Sequence, residues 1–154
     1  MTFAIVTSPT ALALASRYAR EAAPFETGGI LLGWHQRSTI VVHEFLSVPD
    51  PRATNGDYKR GHREASDSLK RYLDDAEDSR LGYVGEWHSH PRSSVASATD
   101  ISSLAAIAKG VRSPVALIVL ILENGAADVT VDSRVGCRGV FGQIRVQSAH
   151  LTAA

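Results

Sequence analysis

The stretch Gly85-Glu-Trp-His-Ser-His-Pro-Arg-Ser-Ser-Val-Ala-Ser-Ala-Thr-Asp100 decides the architecture, because it reads as a strand, a turn and the start of a helix. The strand runs from Leu81 to about Ser89. Residues two apart on a strand share a face, so His88 and His90 project together, close enough to share one metal ion. Pro91 cannot donate to a ladder and turns the chain. The loop Pro91 to Ala98 leads to a helix that Thr99 can cap, and Asp100 in its first turn comes back toward the strand end. Two imidazoles and one carboxylate leave a fourth tetrahedral position open, which suits catalytic Zn2+ and not a closed structural site.

Working outward, Phe3 to Val6 reads as a short strand, followed by Ser8 as an N-cap and Pro9 at the first helical position. Leu12, Ala15, Ala19 and Ala22 recur on one helical face until Pro24. Gly28-Gly29 opens the apolar strand Ile30 to Trp34, with Thr39 to Ser47 as its antiparallel partner. Residues 48–61 are rich in turn formers, and a loop of that length inside a domain is usually functional or disordered. Ala65, Leu69, Tyr72, Leu73 and Ala76 define a second amphipathic helix. Ile101, Leu104, Ile107 and Ala108 form the stripe of a third, ended by Gly110. Val115 to Leu122 is apolar throughout, as in a strand covered on both faces. Asn124-Gly125 is a hairpin turn leading into Asp128 to Asp132. Val140, Gly142, Ile144 and Val146 alternate along a last strand, and His150 falls in a tail. The reading is one α/β domain over residues 1–154, a sheet flanked by about three helices.

Composition narrows the chemistry. The 154 residues carry 16 Lys+Arg against 16 Asp+Glu, which argues against a general binder of nucleic acid or anionic membrane. The longest apolar run, Val115 to Leu122, falls far short of the ~18 residues a membrane helix needs. The start Met1-Thr-Phe-Ala-Ile-Val lacks a basic signal-peptide region, so the cytoplasm is the expected compartment. A single cysteine, Cys137, permits neither an intramolecular disulfide nor an all-Cys zinc site. A metal would therefore rest on imidazole and carboxylate. Of the six histidines, His35, His43, His62 and His150 are expected to be solvated or locally hydrogen-bonded.

Metal-assisted hydrolysis also needs a base. Glu26, just before Gly28-Gly29, is the candidate; Glu86 is its rival, since positions 86, 88 and 90 share a strand face. Ser97, three residues before Asp100, can donate to a developing oxyanion or serve as a loop or capping serine. The ordered pattern of Glu26, then His88-Ser89-His90-Pro91, then Ser97-x-x-Asp100 resembles the JAMM motif of MPN-domain zinc metalloproteases. The segment Glu26-Thr-Gly-Gly-Ile-Leu-Leu-Gly-Trp34 is similar to that family's opening glutamate strand.

The resemblance implies a single MPN domain with a mixed, curved sheet. It places one Zn2+ and a catalytic water on His88, His90 and Asp100, with Glu26 as the base and Ser97 steadying the oxyanion. It implies an isopeptidase cutting after the C-terminal glycine of a ubiquitin-like protein, by deconjugation or precursor processing. The wording Gly-Glu-Trp-His-Ser-His-Pro is similar to the small bacterial JAB-type branch, which accompanies E1-like and E2-like enzymes in CBASS or Bil antiphage operons. Two alternatives stand beside it: a metallohydrolase for a sulfur-carrier protein or small amide, and a catalytically silent MPN scaffold. Pro49 to Gly61 is the candidate for gripping a substrate tail, which could also add as a strand at a sheet edge. The basic stretch Lys59-Arg60-Gly61-His62-Arg63 can serve an acidic partner.

Overall fold

The computed structural model describes residues 2–50, 52–56, 62–75 and 79–154, with side chains omitted at 62–65 and 75. Its elements follow in the order β1 (Ala4–Thr7), α1 (Pro9–Ala22), β2 (Gly28–Gln36), β3 (Thr39–Ser47), α2 (His62–Asp75), β4 (Gly82–His90), α3 (Ala98–Gly110), β5 (Val115–Glu123), β6 (Asp128–Arg138), β7 (Ile144–Ser148) and β8 (His150–Ala153). One mixed sheet holds all eight strands in the order β7-β6-β5-β4-β2-β3-β1-β8. The pairs β4–β5, β1–β3 and β1–β8 are parallel, and the others antiparallel.

The outermost strands, β7 and β8, are separated in sequence by Ala149 alone. Its amide donates to Ser133 O at 2.9 Å, and Ser133 Oγ donates back to Ala149 O at 2.7 Å. A chain that steps from one edge to the other in a single residue forces the two edges together. The sheet is therefore nearly closed.

Its concave side is filled by the main core. Ile5, Leu31, Ile40, Phe45, Trp87, Ile118 and Val135 meet there against Ala11, Ala15 and Ala19 of α1. Small residues on α1 let the helix sit close to the sheet, and Trp87 meets Phe45 edge-on at 5.9 Å. On the outer face, Leu104 of α3 packs on Val115, Leu117, Val119 and Ile121. Leu69 and Tyr72 of α2 cover Ile30 and Leu32 there. β5 thus has one set of side chains against α1 and the other against α3, which is why it is apolar at every position.

Three expectations need correction. The helix α3 is capped by Ser97, not Thr99. The alternation from Val140 does not begin a strand: Gly139 N bonds Gln143 O at 2.7 Å and Gly142 takes φ 81°, so 139–143 is a turn and β7 starts at Ile144. His150 lies in β8, not in a tail; four residues with one large apolar side chain carry no local strand signal, and pairing with β1 supplies it. Among the described residues no helix is long and apolar enough to cross a membrane.

Candidate metal centre

β4 lies between β2 and β5, with Gly28 opposite His88 on one side, and Val119 and Ile121 opposite His88 and His90 on the other. Val119 and Ile121 face α3, so both histidines stand on the outer face beneath the α3 N-terminus, their ring centroids 5.1 Å apart. Gly28 makes room for them. A Cβ there would collide with Trp87 O and lie 2.8 Å from His88 Cβ.

The imidazole of His90 is orientated by the loop after Pro91. Its Nδ1 meets Ser94 O at 2.7 Å. A carbonyl only accepts, so Nδ1 carries the proton and the neutral ring keeps its lone pair on Nε2. His88 Nε2 is buried without a hydrogen-bond partner.

Asp100 is delivered by a reciprocal cap: its N–H donates to Ser97 Oγ at 3.1 Å, while its Oδ2 accepts from Ser97 N at 2.7 Å. The same carboxylate sets Oδ1 3.3 Å from His88 Nε2 and Oδ2 3.4 Å from His90 Nε2. Lone pairs facing a carboxylate at that range repel unless a proton or a metal ion lies between them. Ligands about 2.05 Å from a tetrahedral zinc are themselves roughly 3.3 Å apart, the spacing found here. The orphaned His88 nitrogen and this donor set fit a divalent metal.

Glu26 arrives on the connection between α1 and β2. It is 7 % exposed, and one of its oxygens lies within 4.8 Å of ring nitrogens of both His88 and His90. One bond holds its own backbone, Glu26 N to Thr54 O at 2.7 Å, and two hold the next residue, Thr27 N to Ser89 Oγ at 3.0 Å and Ser89 N to Thr27 O at 2.8 Å. The serine between the two histidines points into the opposite face, fully buried, and clamps the residue after Glu26. Sequence reasoning missed Ser89 and Ser94. Strand alternation offered a signal for Ser89, because a hydroxyl forced into a core must find a partner.

The electrostatics follow from crowding these groups. Burial raises the Glu26 carboxyl above its ordinary value, and the charges of His90, His88 and Arg92 offset this only in part. Burial opposes a charged His90, yet the Asp100 carboxylate, the Ser94 carbonyl and Glu26 outweigh it and raise its pKa. Burial also opposes a charged Asp100, but the two imidazoles and the Ser97 amide hold its carboxyl far below the usual range.

Glu86 shares the β4 face but is engaged elsewhere. The register slips between Leu31 and Leu32, which returns Tyr83 to that face, and its hydroxyl donates to the Glu86 carboxylate. Glu26, not Glu86, groups with the histidines. His35 Nε2 bonds Pro114 O at 2.7 Å, His43 leans on the Trp34 ring, and Cys137 is half-buried against the core. Tyr58, Lys59 and Arg60, with the side chains of His62 and Arg63, lie outside the described residues, so the basic stretch does too.

A nearly closed mixed sheet with three helices and a His-x-His strand end beside a capping aspartate and a buried glutamate defines a JAB/MPN-type domain. The family model for prokaryotic homologs of the JAB domain matches residues 9–133, and the chain belongs to that family. A protein from Desulfitobacterium hafniense, solved in solution, is similar over 97% of this chain and 92% of its own, at 17% identity and a TM-score of 0.67. That likeness is one of fold. No curated protein matches.

Proposed function

We propose that the chain is a zinc-dependent isopeptidase that cleaves after the C-terminal glycine of a ubiquitin-like protein, within a bacterial antiphage conjugation system that includes E1-like and E2-like enzymes. The observation that carries the reading is the convergence of His88 Nε2, His90 Nε2 and the Asp100 carboxylate beside a buried glutamate. These three residues would hold the zinc. Bound there, zinc supplies Lewis acidity, making water more acidic and polarising a carbonyl.

The chain's own residues do the rest. Glu26 Oε takes a proton from the attacking water and returns it to the departing amine, and burial favours the protonated state it must pass through. The backbone clamp by Thr54 and Ser89 keeps that carboxylate aimed at the histidines. Ser97 Oγ accepts from Asp100 N, and a hydroxyl that accepts still has a proton to donate to an oxyanion.

A groove lies near the end of β4, lined by none of the three proposed ligands. It has a volume of about 620 Å³ and runs from Pro24, two residues before Glu26, past Pro91 and Arg92 to the Glu123–Ala126 turn. β2 and β4 are both paired on each side, so an extended tail cannot add to the strands that carry the site. The tail is instead assigned to the groove or to the loop that reaches Glu26 through Thr54.

The test is to incubate the zinc-loaded chain with a ubiquitin-like protein fused through its C-terminal glycine and to identify the new terminus. Cleavage after the glycine is expected, lost on chelation and reduced about 10²- to 10⁴-fold by Glu26→Gln. A folded protein that binds no stoichiometric zinc would instead be a scaffold. Equal turnover by wild type and Glu26→Gln overturns the assigned base.

A further inference from the structure

We propose that Asp132, fixed by Arg134, is a positioning residue for the metal centre: it holds the loop after Pro91 by the Ala96 amide and so sets where Asp100 meets the two histidines. The inference rests on the metal-site reading above. Its first support is the sheet register. His88 lies opposite Val119, and Val119 opposite Asp132, so the three stand in one row across β4, β5 and β6 on the outer face. Adjacent strands are about 4.8 Å apart, which puts Asp132 roughly 10 Å from His88, too far to touch it but level with it.

Its second support is a chain of short contacts. Arg134 grips the carboxylate with two prongs, Nε to Oδ1 at 2.9 Å and a terminal nitrogen to Oδ2 at 3.0 Å. That leaves Oδ2 aimed at Ala96 N, which it meets at 2.8 Å. The next residue is Ser97, whose amide and hydroxyl exchange bonds with Asp100. Two residues back, Ser94 O is held by His90 Nδ1. The segment 94–96 is therefore strapped at both ends, once to a histidine and once to β6. The Asp132 side chain is 13% exposed, so its bond to Ala96 competes with little water. β6 also ties the far end of α3, through Arg138 to Lys109 O at 2.6 Å, and that contact serves the fold without touching the site.

The experiment compares the full chain with Asp132→Ala, Asp132→Asn and Arg138→Ala. Zinc affinity is measured by competition with a chromophoric chelator, ligand geometry by the visible bands of cobalt(II) titrated into the same proteins, and folding by circular dichroism. Asp132→Ala is expected to bind zinc about 10- to 100-fold more weakly, the range for residues that orientate metal ligands, with altered cobalt bands. Arg138→Ala should retain the wild-type affinity and spectrum. Where Asp132→Ala does not fold, Asp132→Asn decides: it keeps one acceptor oxygen but loses the charged fork, and should bind several-fold more weakly with faster hydrogen exchange at the Ala96 amide. Wild-type affinity and cobalt bands in whichever variant folds overturn the inference while leaving the metal site standing. A wild type that binds neither metal overturns both.

Discussion

At the scale of single residues, the site depends on groups that touch the backbone as much as on the ligands. Ser89→Ala leaves the part-buried Thr27 amide without its partner, a loss of about 1 kcal/mol. A thermal melt should show that loss. Activity should fall more than zinc affinity, because Glu26 drifts while the histidines stay. Equal losses in both would mean that Ser89 supports β4 and not Glu26. The grouping of His88, His90, Asp100 and Glu26 was legible in the sequence because side chains make it, and side-chain chemistry is written in residue type. Ser94 was not legible, since it acts through its carbonyl oxygen, which every residue has. Asp132 was missed for the matching reason: its target is an amide, and nothing in the spelling of Ala96 announces it.

At the scale of elements, α3 shows how one cap serves two ends. Ser97 closes the helix and also stands next to the metal centre, so a simple deletion confounds the two roles. Ser97→Ala should cost about 1 kcal/mol of stability, whereas glycine at an N-cap costs only a few tenths. Both remove the hydroxyl. If Ser97 donates to an oxyanion, Ser97→Gly should retain nearly full stability yet lose about 10²- to 10³-fold in turnover. Unchanged turnover would leave Ser97 as a cap alone. Elements with local patterns, such as β5 and the stripe on α3, were readable because each position's neighbours along the chain set its face. The alternation from Val140 misled, since a turn with bonded ends at Gly139 and Gln143 can imitate a strand's period over a few residues. Val140 and Phe141 are accordingly almost fully exposed.

At the scale of the whole molecule, the strap between β6 and the site loop should register in acid. Burial opposes a charged Asp132, but the Arg134 fork and the Ala96 amide outweigh it and lower its pKa below 3.8. A carboxyl with a lowered folded pKa contributes stability above its ordinary value and loses it as pH falls through the lowered one. Asp132→Asn should thus be less stable than wild type at pH 7, with the gap narrowing below about pH 4. Denaturant unfolding across pH 2–7 checks this, and a gap that widens in acid would contradict it.

The meeting of the sheet's two edges has a different consequence, for the order in which the protein can be completed. β1 is made well over a hundred residues before β8, yet β8 is one of its two neighbours, paired from Ala4–His150 to Thr7–Ala153. Until residue 153 has been made, the flank of β1 is an open template for strands of other chains. Synthesis of residues 150–153 would then act as a seal on β1. Deleting 150–154 should leave Glu26, His88, His90 and Asp100 in place but yield a protein that self-associates, visible as a concentration-dependent rise in scattering. A deletion that scatters no more than the full chain would show that β1 is guarded by something other than β8.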